Sequence, residues 1–220
     1  MRRASRWAST ILVLTACREP DPAPRAEPNP GPPSERSGAT PDPQPPSGAA
    51  EAVDAVVDLH GAAIDPLSAR DDVAATVLLF VSTHCPISNR YAPTIRRLAS
   101  GWAERRVATW LVYPDPDDDA DAIAAHQSEF SLSLPTVRDP THRLVARAGA
   151  RVTPEAAIFV PGTPTPVYAG RIDDRVVTFG TVRAEASSEE LYDAVRAVLA
   201  GDRPSRAKAP AIGCYISDLR

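Results

Sequence analysis

From Thr76 to Val81 the chain runs TVLLFV, six apolar or β-branched residues with no polar alternation. Such a run predicts a strand covered on both faces. The period then changes: Ile87, Tyr91, Ile95, Leu98 and Trp102 recur every three to four residues, which predicts a helix with one side against a sheet. Pro86 suits the first helical position, where its missing N–H costs nothing, and Pro93 interrupts the stripe and predicts a kink. Around this pair the pattern predicts a leading strand over Ala52 to Leu59, with turns at His60-Gly61 and Asp65-Pro66. A second apolar strand is expected at Val107 to Tyr113 and a helix at Ala120 to Phe130, capped by the acidic loop Pro114 to Asp119. Leu134 to Val137 reads as a short strand, Thr141 to Ala148 as a helix, and Ala156 to Val160 with Val167 to Ile172 as a terminal strand pair. An insertion through Ala186 and a helix from Ser188 to Leu199 follow. Strands alternating with helices, then a strand pair and a last helix, predict an α/β three-layer sandwich.

Composition changes the picture mainly at the amino end. Met1 to Arg6 is basic, Trp7 to Ala16 is a short apolar stretch, and Leu14-Thr15-Ala16-Cys17 resembles a lipobox cleaved before a cysteine that becomes acylated. The apolar stretch is shorter than the roughly 20 residues that a spanning helix needs. Eleven of the 24 prolines lie between Glu19 and Ala50, among Ser, Gly, Asp and Glu, a tract that cannot bury a core. Extended at about 3.1 Å per residue, it gives a tether of roughly 100 Å at most. The expected organisation is a lipoprotein signal peptide with its cysteine at 1–17, a linker at 18–50, one domain at 51–201, and a tail at 202–220 carrying Cys214. Export is expected, with the protein held to a bacterial membrane through acyl chains on Cys17, facing the periplasm or cell exterior. The net charge of −4 is spread in both signs, and no basic stripe with interleaved aromatics exists, so nucleic acid is not an expected partner.

Candidate chemistry gathers at Cys85. It stands where a strand ends and a proline-started helix begins, so unpaired backbone N–H groups and the helix dipole favour a thiolate there. Ser82 and Thr83 offer hydroxyls to the exposed amides of that turn.

The segment from Thr76 to Ile95 resembles the active-site strand and helix of thioredoxin-fold proteins, with Cys85-Pro86 and then Ala92-Pro93 at the helix kink. Gly149-Ala150-Arg151-Val152-Thr153-Pro154, before the apolar Ala156 to Val160, is similar to the loop that presents a cis-proline beside the cysteine in that fold. The phrases Thr83-His84-Cys85-Pro86, Ser133 to Asp139 and Tyr168 to Asp173 resemble the redoxins, the group that includes peroxiredoxin-like proteins; the likeness covers about Ala52 to Ala200. It implies a thioredoxin-like α/β/α sandwich with a mixed central sheet, a cis bond before Pro154, and the backbone of Val152 and Thr153 left free to pair with an extended substrate. Departures are as informative. Ser88 stands where thioredoxins carry their second cysteine, and Leu79 where they carry a buried aspartate. Peroxiredoxins place a hydroxyl three residues before the cysteine, as Ser82 is, but a proline where this chain has Leu78. Such enzymes also set an arginine over the thiolate, and among Arg90, Arg147, Arg151 and Arg171 the expectation falls on Arg171, beside the Pro154 strand.

With Cys17 acylated, Cys85 and Cys214 remain, and two thiols in an oxidising compartment invite pairing. The apolar residues around Cys214, from Pro210 to Ile216, predict a tail that docks back on the domain. Cys214 then either resolves an oxidised Cys85, forms a permanent disulfide with it, or is an unrelated free thiol. His84, where thioredoxins carry tryptophan, would face substrate. The expected function is an exported thiol oxidoreductase acting on a small peroxide or a protein disulfide, recycled by an external thiol reductant, with no cofactor or metal. The competing expectation is a binding module that holds a soft metal such as copper, through His84, Cys85 and Cys214, or an extended peptide in the Cys85/Pro154 cleft. Calcium at Asp115, Asp117, Asp118 and Asp119 lacks a spacing that turns the oxygens inward, and His60, His126 and His142 read as surface or satisfied core residues.

Overall fold

The computed structural model describes residues 56–68 and 70–217. The signal segment, Cys17 and the proline-rich linker lie outside them. Strand β1 (Ala75–Phe80) is buried along its whole length. Its pleat sends Ala75, Val77 and Leu79 into one apolar cluster and Leu78 and Phe80 into another, which is why the sequence shows no polar alternation. Strands β2 (Val107–Tyr113) and β3 (Thr136–Arg138) extend the sheet on one side, both parallel. Strand β5 (Glu155–Phe159) pairs antiparallel with β1 on the other, followed by β6 (Tyr168–Gly170) and by β9 (Lys208–Ala209) from the tail. The sheet order is β3-β2-β1-β5-β6-β9, a mixed sheet.

Helices cover both faces. Tyr91, Ile95, Leu98 and Trp102 of α1 (Pro86–Trp102), Ile123 of α2 (Ala120–Phe130) and Leu191, Ala194 and Val195 of α4 (Glu190–Leu199) share the cluster of Val77 and Leu79. Leu144, Val145 and Ala148 of α3 (Arg143–Ala148) share that of Leu78 and Phe80. The expected three-layer sandwich is therefore present. Cutting Ile95, fully buried beneath α1, to alanine would cost about 2–5 kcal/mol by the scale of buried large-to-small substitutions. The insertion before α4 holds a hairpin of β7 (Val176–Thr178) and β8 (Thr181–Val182).

Several expected elements differ: α4 starts at Glu190 rather than Ser188, β6 covers only the middle of the expected Val167 to Ile172, and three others differ for a local reason. No strand leads the domain among the described residues: Val57 makes only isolated bridges to Ala63 and Arg138. The chain turns back there because the Asp58 carboxylate accepts the N–H groups of His60 and Ala62, and Gly61 takes φ +83°. The short strand starts at Thr136 rather than Leu134, since Pro135 has no N–H to give a ladder. Helix α3 begins at Arg143, after His142 in a left-handed conformation, where the buried Asp139 carboxylate accepts from the N–H groups of Arg143 (2.7 Å) and Val145 (2.9 Å).

The tail does dock. Ala209 lies so close to Gly170 that any Cβ there would strike its carbonyl, and beyond it Ile212 packs on the first cluster while Ile216 is buried in the second. Between these anchors, β10 (Cys214–Tyr215) pairs antiparallel with β4 (Val152–Thr153).

Candidate active site

Cys85 follows β1 after a short turn and opens α1. It is the helix N-cap, with Pro86 at the first helical position; the Ser88 N–H donates to its Sγ at 3.4 Å. The predicted cis peptide precedes Pro154. The carbonyl of the residue before that proline, Thr153, lies 3.0 Å from Sγ and accepts from the thiol. Across β10 and β4, Cys214 is the register partner of Thr153, the residue whose carbonyl meets the Cys85 thiol. Both cysteines are free thiols.

Electrostatics separate the two sulfurs. Burial pushes the Cys85 thiol up, but donation from the Cys214 thiol, the Ser88 N–H, the Thr153 side chain and the Cys214 N–H outweighs it, and the thiol lies below its ordinary value. The Thr153 carbonyl, which accepts from the thiol, acts in the opposite sense and favours the protonated form. Cys214 is pushed up to about 12, by burial first and then by its hydrogen bond and charge contact with Cys85. The helix start thus holds the ionisable sulfur, and the tail supplies a protonated one.

Ser82 and Thr83 are tied to the loop and not to the sulfur. The Ser82 hydroxyl accepts the His84 N–H at 3.2 Å, and its carbonyl accepts the Cys85 N–H at 3.4 Å. The Thr83 hydroxyl donates to the carboxylate of Asp118, a fully buried residue of the acidic loop. His84 points to solvent, with Nε2 3.8 Å from Asp118 Oδ1. It does not join Cys85 and Cys214 into a ligand set. Among the described residues no group of three or more His, Cys, Asp or Glu side chains could hold a metal ion. Arg171 is engaged by Glu190 through its Nε (2.9 Å) and Nη2 and is not a partner of the thiol. Val152 and Thr153, expected to offer free backbone to a substrate, already carry β10; the chain's own tail fills that edge because Gly213 lets it approach the Thr153 carbonyl closer than any side chain would allow.

Three residues of the site carry no signal in the pattern. Asn89 donates to the Thr83 carbonyl at 3.4 Å and accepts from His126 Nε2 at 2.9 Å, while the Tyr113 hydroxyl meets His126 Nδ1 at 2.8 Å. With Asn89 as acceptor, Nε2 carries a proton, and burial lowers the pKa of the ring and so favours the neutral form, in which Nδ1 accepts from the Tyr113 hydroxyl. His126 is the satisfied core residue expected, and together with Asp118 it pins the Thr83-His84 turn from below. Asp118 was one of four equivalent acids in the run, of which Asp119 caps α2 by accepting the Ala122 N–H at 2.8 Å. Ser88 Oγ, in the first turn beside Cys85, is buried with no hydrogen-bond partner.

A thiol at a helix start, a cis-proline loop against it and a mixed sheet behind define the thioredoxin fold. Several solved structures resemble the chain in their fold. A hypothetical protein from Sinorhizobium meliloti superposes with a TM-score of 0.61 at 22% identity, over 73% of this chain and 88% of that one. An uncharacterized conserved protein from Geobacillus kaustophilus gives 0.60 at 24% identity, over 74% and 86%. A secreted Mycobacterium tuberculosis disulfide oxidoreductase homologous to E. coli DsbE gives 0.44 at 19%, over 70% and 99%. No family model and no curated protein matches the sequence. Among the described residues no helix is long and apolar enough to cross a membrane.

Proposed function

We propose that this protein is an exported thiol oxidoreductase whose redox pair is Cys85 and Cys214. The observation that carries the reading is that the Cys85 thiol donates to the carbonyl of Thr153 at 3.0 Å while Cys214 is the register partner of that same residue, beside the cis-proline. The Cys85 thiolate attacks one sulfur of a disulfide, expelling the other as a thiolate, or one oxygen of a peroxide, expelling an alcohol or water and leaving a sulfenic acid. Cys214 then attacks the Cys85 sulfur, closes the Cys85–Cys214 disulfide and expels the second thiolate or water. An external thiol reductant reopens it. The amide of Ser88 stabilises charge on Cys85 at each stage, since it already donates to the sulfur.

Cys17 would anchor the domain to a membrane through acyl chains, with residues 18–50 as tether and 202–220 as the strap that delivers Cys214. Cys17→Ser is expected to move the protein from the membrane pellet to the soluble fraction. Neither form of binding module has an observation in its favour, because His84 points to solvent and away from the two cysteines and the peptide-pairing edge is occupied. The test is consumption of peroxide and reduction of insulin disulfides by the protein and by Cys85→Ser. Loss of whichever activity the parent shows supports the reading, and a Cys85→Ser protein that retains the parent rate rejects it.

A further inference from the structure

We propose that the external thiol enters through the sulfur of Cys214, so that the mixed disulfide with the reductant forms on the tail and not on the helix-start cysteine. The inference rests on the redox pair proposed above and adds which of its two sulfurs is attacked.

Thiol–disulfide exchange is in-line: the incoming sulfur approaches along the axis of the bond that breaks, opposite the leaving sulfur. Cys85 is 1% exposed. Its surroundings are Ser88, the Thr153 carbonyl at 3.0 Å and the strap, and that carbonyl repels an approaching thiolate. Cys214 is half-buried on an outer strand, and its neighbour Tyr215 is 85% exposed. Access therefore favours Cys214. The leaving-group rule agrees, because the lower-pKa sulfur departs more readily and Cys85 is that sulfur.

The step balances as follows. A reductant thiolate forms a bond to Cys214 Sγ, the Cys85–Cys214 bond breaks, and its electron pair leaves on Cys85, where the Ser88 amide receives it. A second reductant thiol, on the same dithiol or a second molecule, attacks the first reductant sulfur. This releases Cys214, which takes a proton. Two reductant thiols become one disulfide, and both cysteines end reduced.

The full-length protein is oxidised with diamide, and mapping of all three cysteine peptides confirms the Cys85–Cys214 link. Absence of the link at this stage counts against the redox pair itself. The linked protein is then mixed with glutathione, stopped at successive times in acid with maleimide, and mapped again. At least about tenfold more glutathione on Cys214 than on Cys85 is the expected result, with maleimide on Cys85, a ratio that corresponds to about 1.4 kcal/mol between the two routes. Glutathione mainly on Cys85, an even division, or loss of the link with no Cys214 adduct at any time overturns the inference while leaving the pair intact.

Discussion

The start of α1 and the strap after α4 each present one sulfur to the same space, in opposite surroundings. Cys85 caps the helix that follows a fully buried strand, accepts a backbone amide and is driven toward the thiolate. Cys214 rides on a two-residue strand, half-buried beside the exposed Tyr215, and is held as a thiol. One group is made a nucleophile by the helix, and the other a proton-bearing partner by proximity to it. Reactivity here belongs to the position of the sulfur and not to cysteine as a residue type.

The comparison breaks most completely at Cys85. Cys85→Ser is expected to lower peroxide or disulfide turnover by about 10³-fold or more, the scale on which removal of a covalent nucleophile is felt, in a steady-state assay. Removing the other sulfur by Cys214→Ser is expected to leave the first attack but not closure, so that a mixed disulfide or over-oxidised Cys85 accumulates by mass and thiol-driven turnover falls about 10–100-fold. Gly213→Ala separates the two regions without touching either sulfur. A Cβ there meets the Thr153 carbonyl, so the strap lifts. Loss of about 1.4 kcal/mol in the closed state would shift its equilibrium tenfold, read as faster iodoacetamide labelling of Cys85. The smallest effect on chemistry is expected at Tyr113→Phe, which strips one partner from His126 beneath the turn. It should cost about 1–3 kcal/mol in denaturant unfolding with little change in turnover.

The same two regions differ in how far the sequence exposes them. The strand, Pro86 and the thiolate position follow from local rules, as do β2, α2 and the helix stripe, whereas the cis bond before Pro154 is legible only through the resemblance to thioredoxin-fold proteins. The tail's docking is legible in its apolar residues, but its register is not: nothing local tells that Cys214 opposes Thr153, because Gly213 acts only against a carbonyl from a distant loop. For the same reason Asp118 looked like any acid of its run, and Arg171 looked free to reach the thiol until Glu190 claimed it. Hydroxyls were the other misdirection. Ser82 and Thr83 stand at suitable distances along the chain, yet the loop and Asp118 engage both.

The pH dependence of labelling sharpens the contrast between the two sulfurs. A thiol reacts as its thiolate, so Cys85, lying below its ordinary value, should label with iodoacetamide at pH values where an unperturbed cysteine is still protonated; Cys214, at about 12, should stay unlabelled through neutral pH. Coincident titrations of the two near the free value of about 8.5 would remove the asymmetry.

The most direct measurement is the disulfide state after one equivalent of oxidant. Peptide mapping of the reduced protein before and after such treatment is predicted to show a new Cys85–Cys214 link with the loss of two hydrogens, reversed by added thiol. Two cysteines that remain unlinked under every oxidising condition, with their thiols intact or Cys85 oxidised alone, would contradict the account.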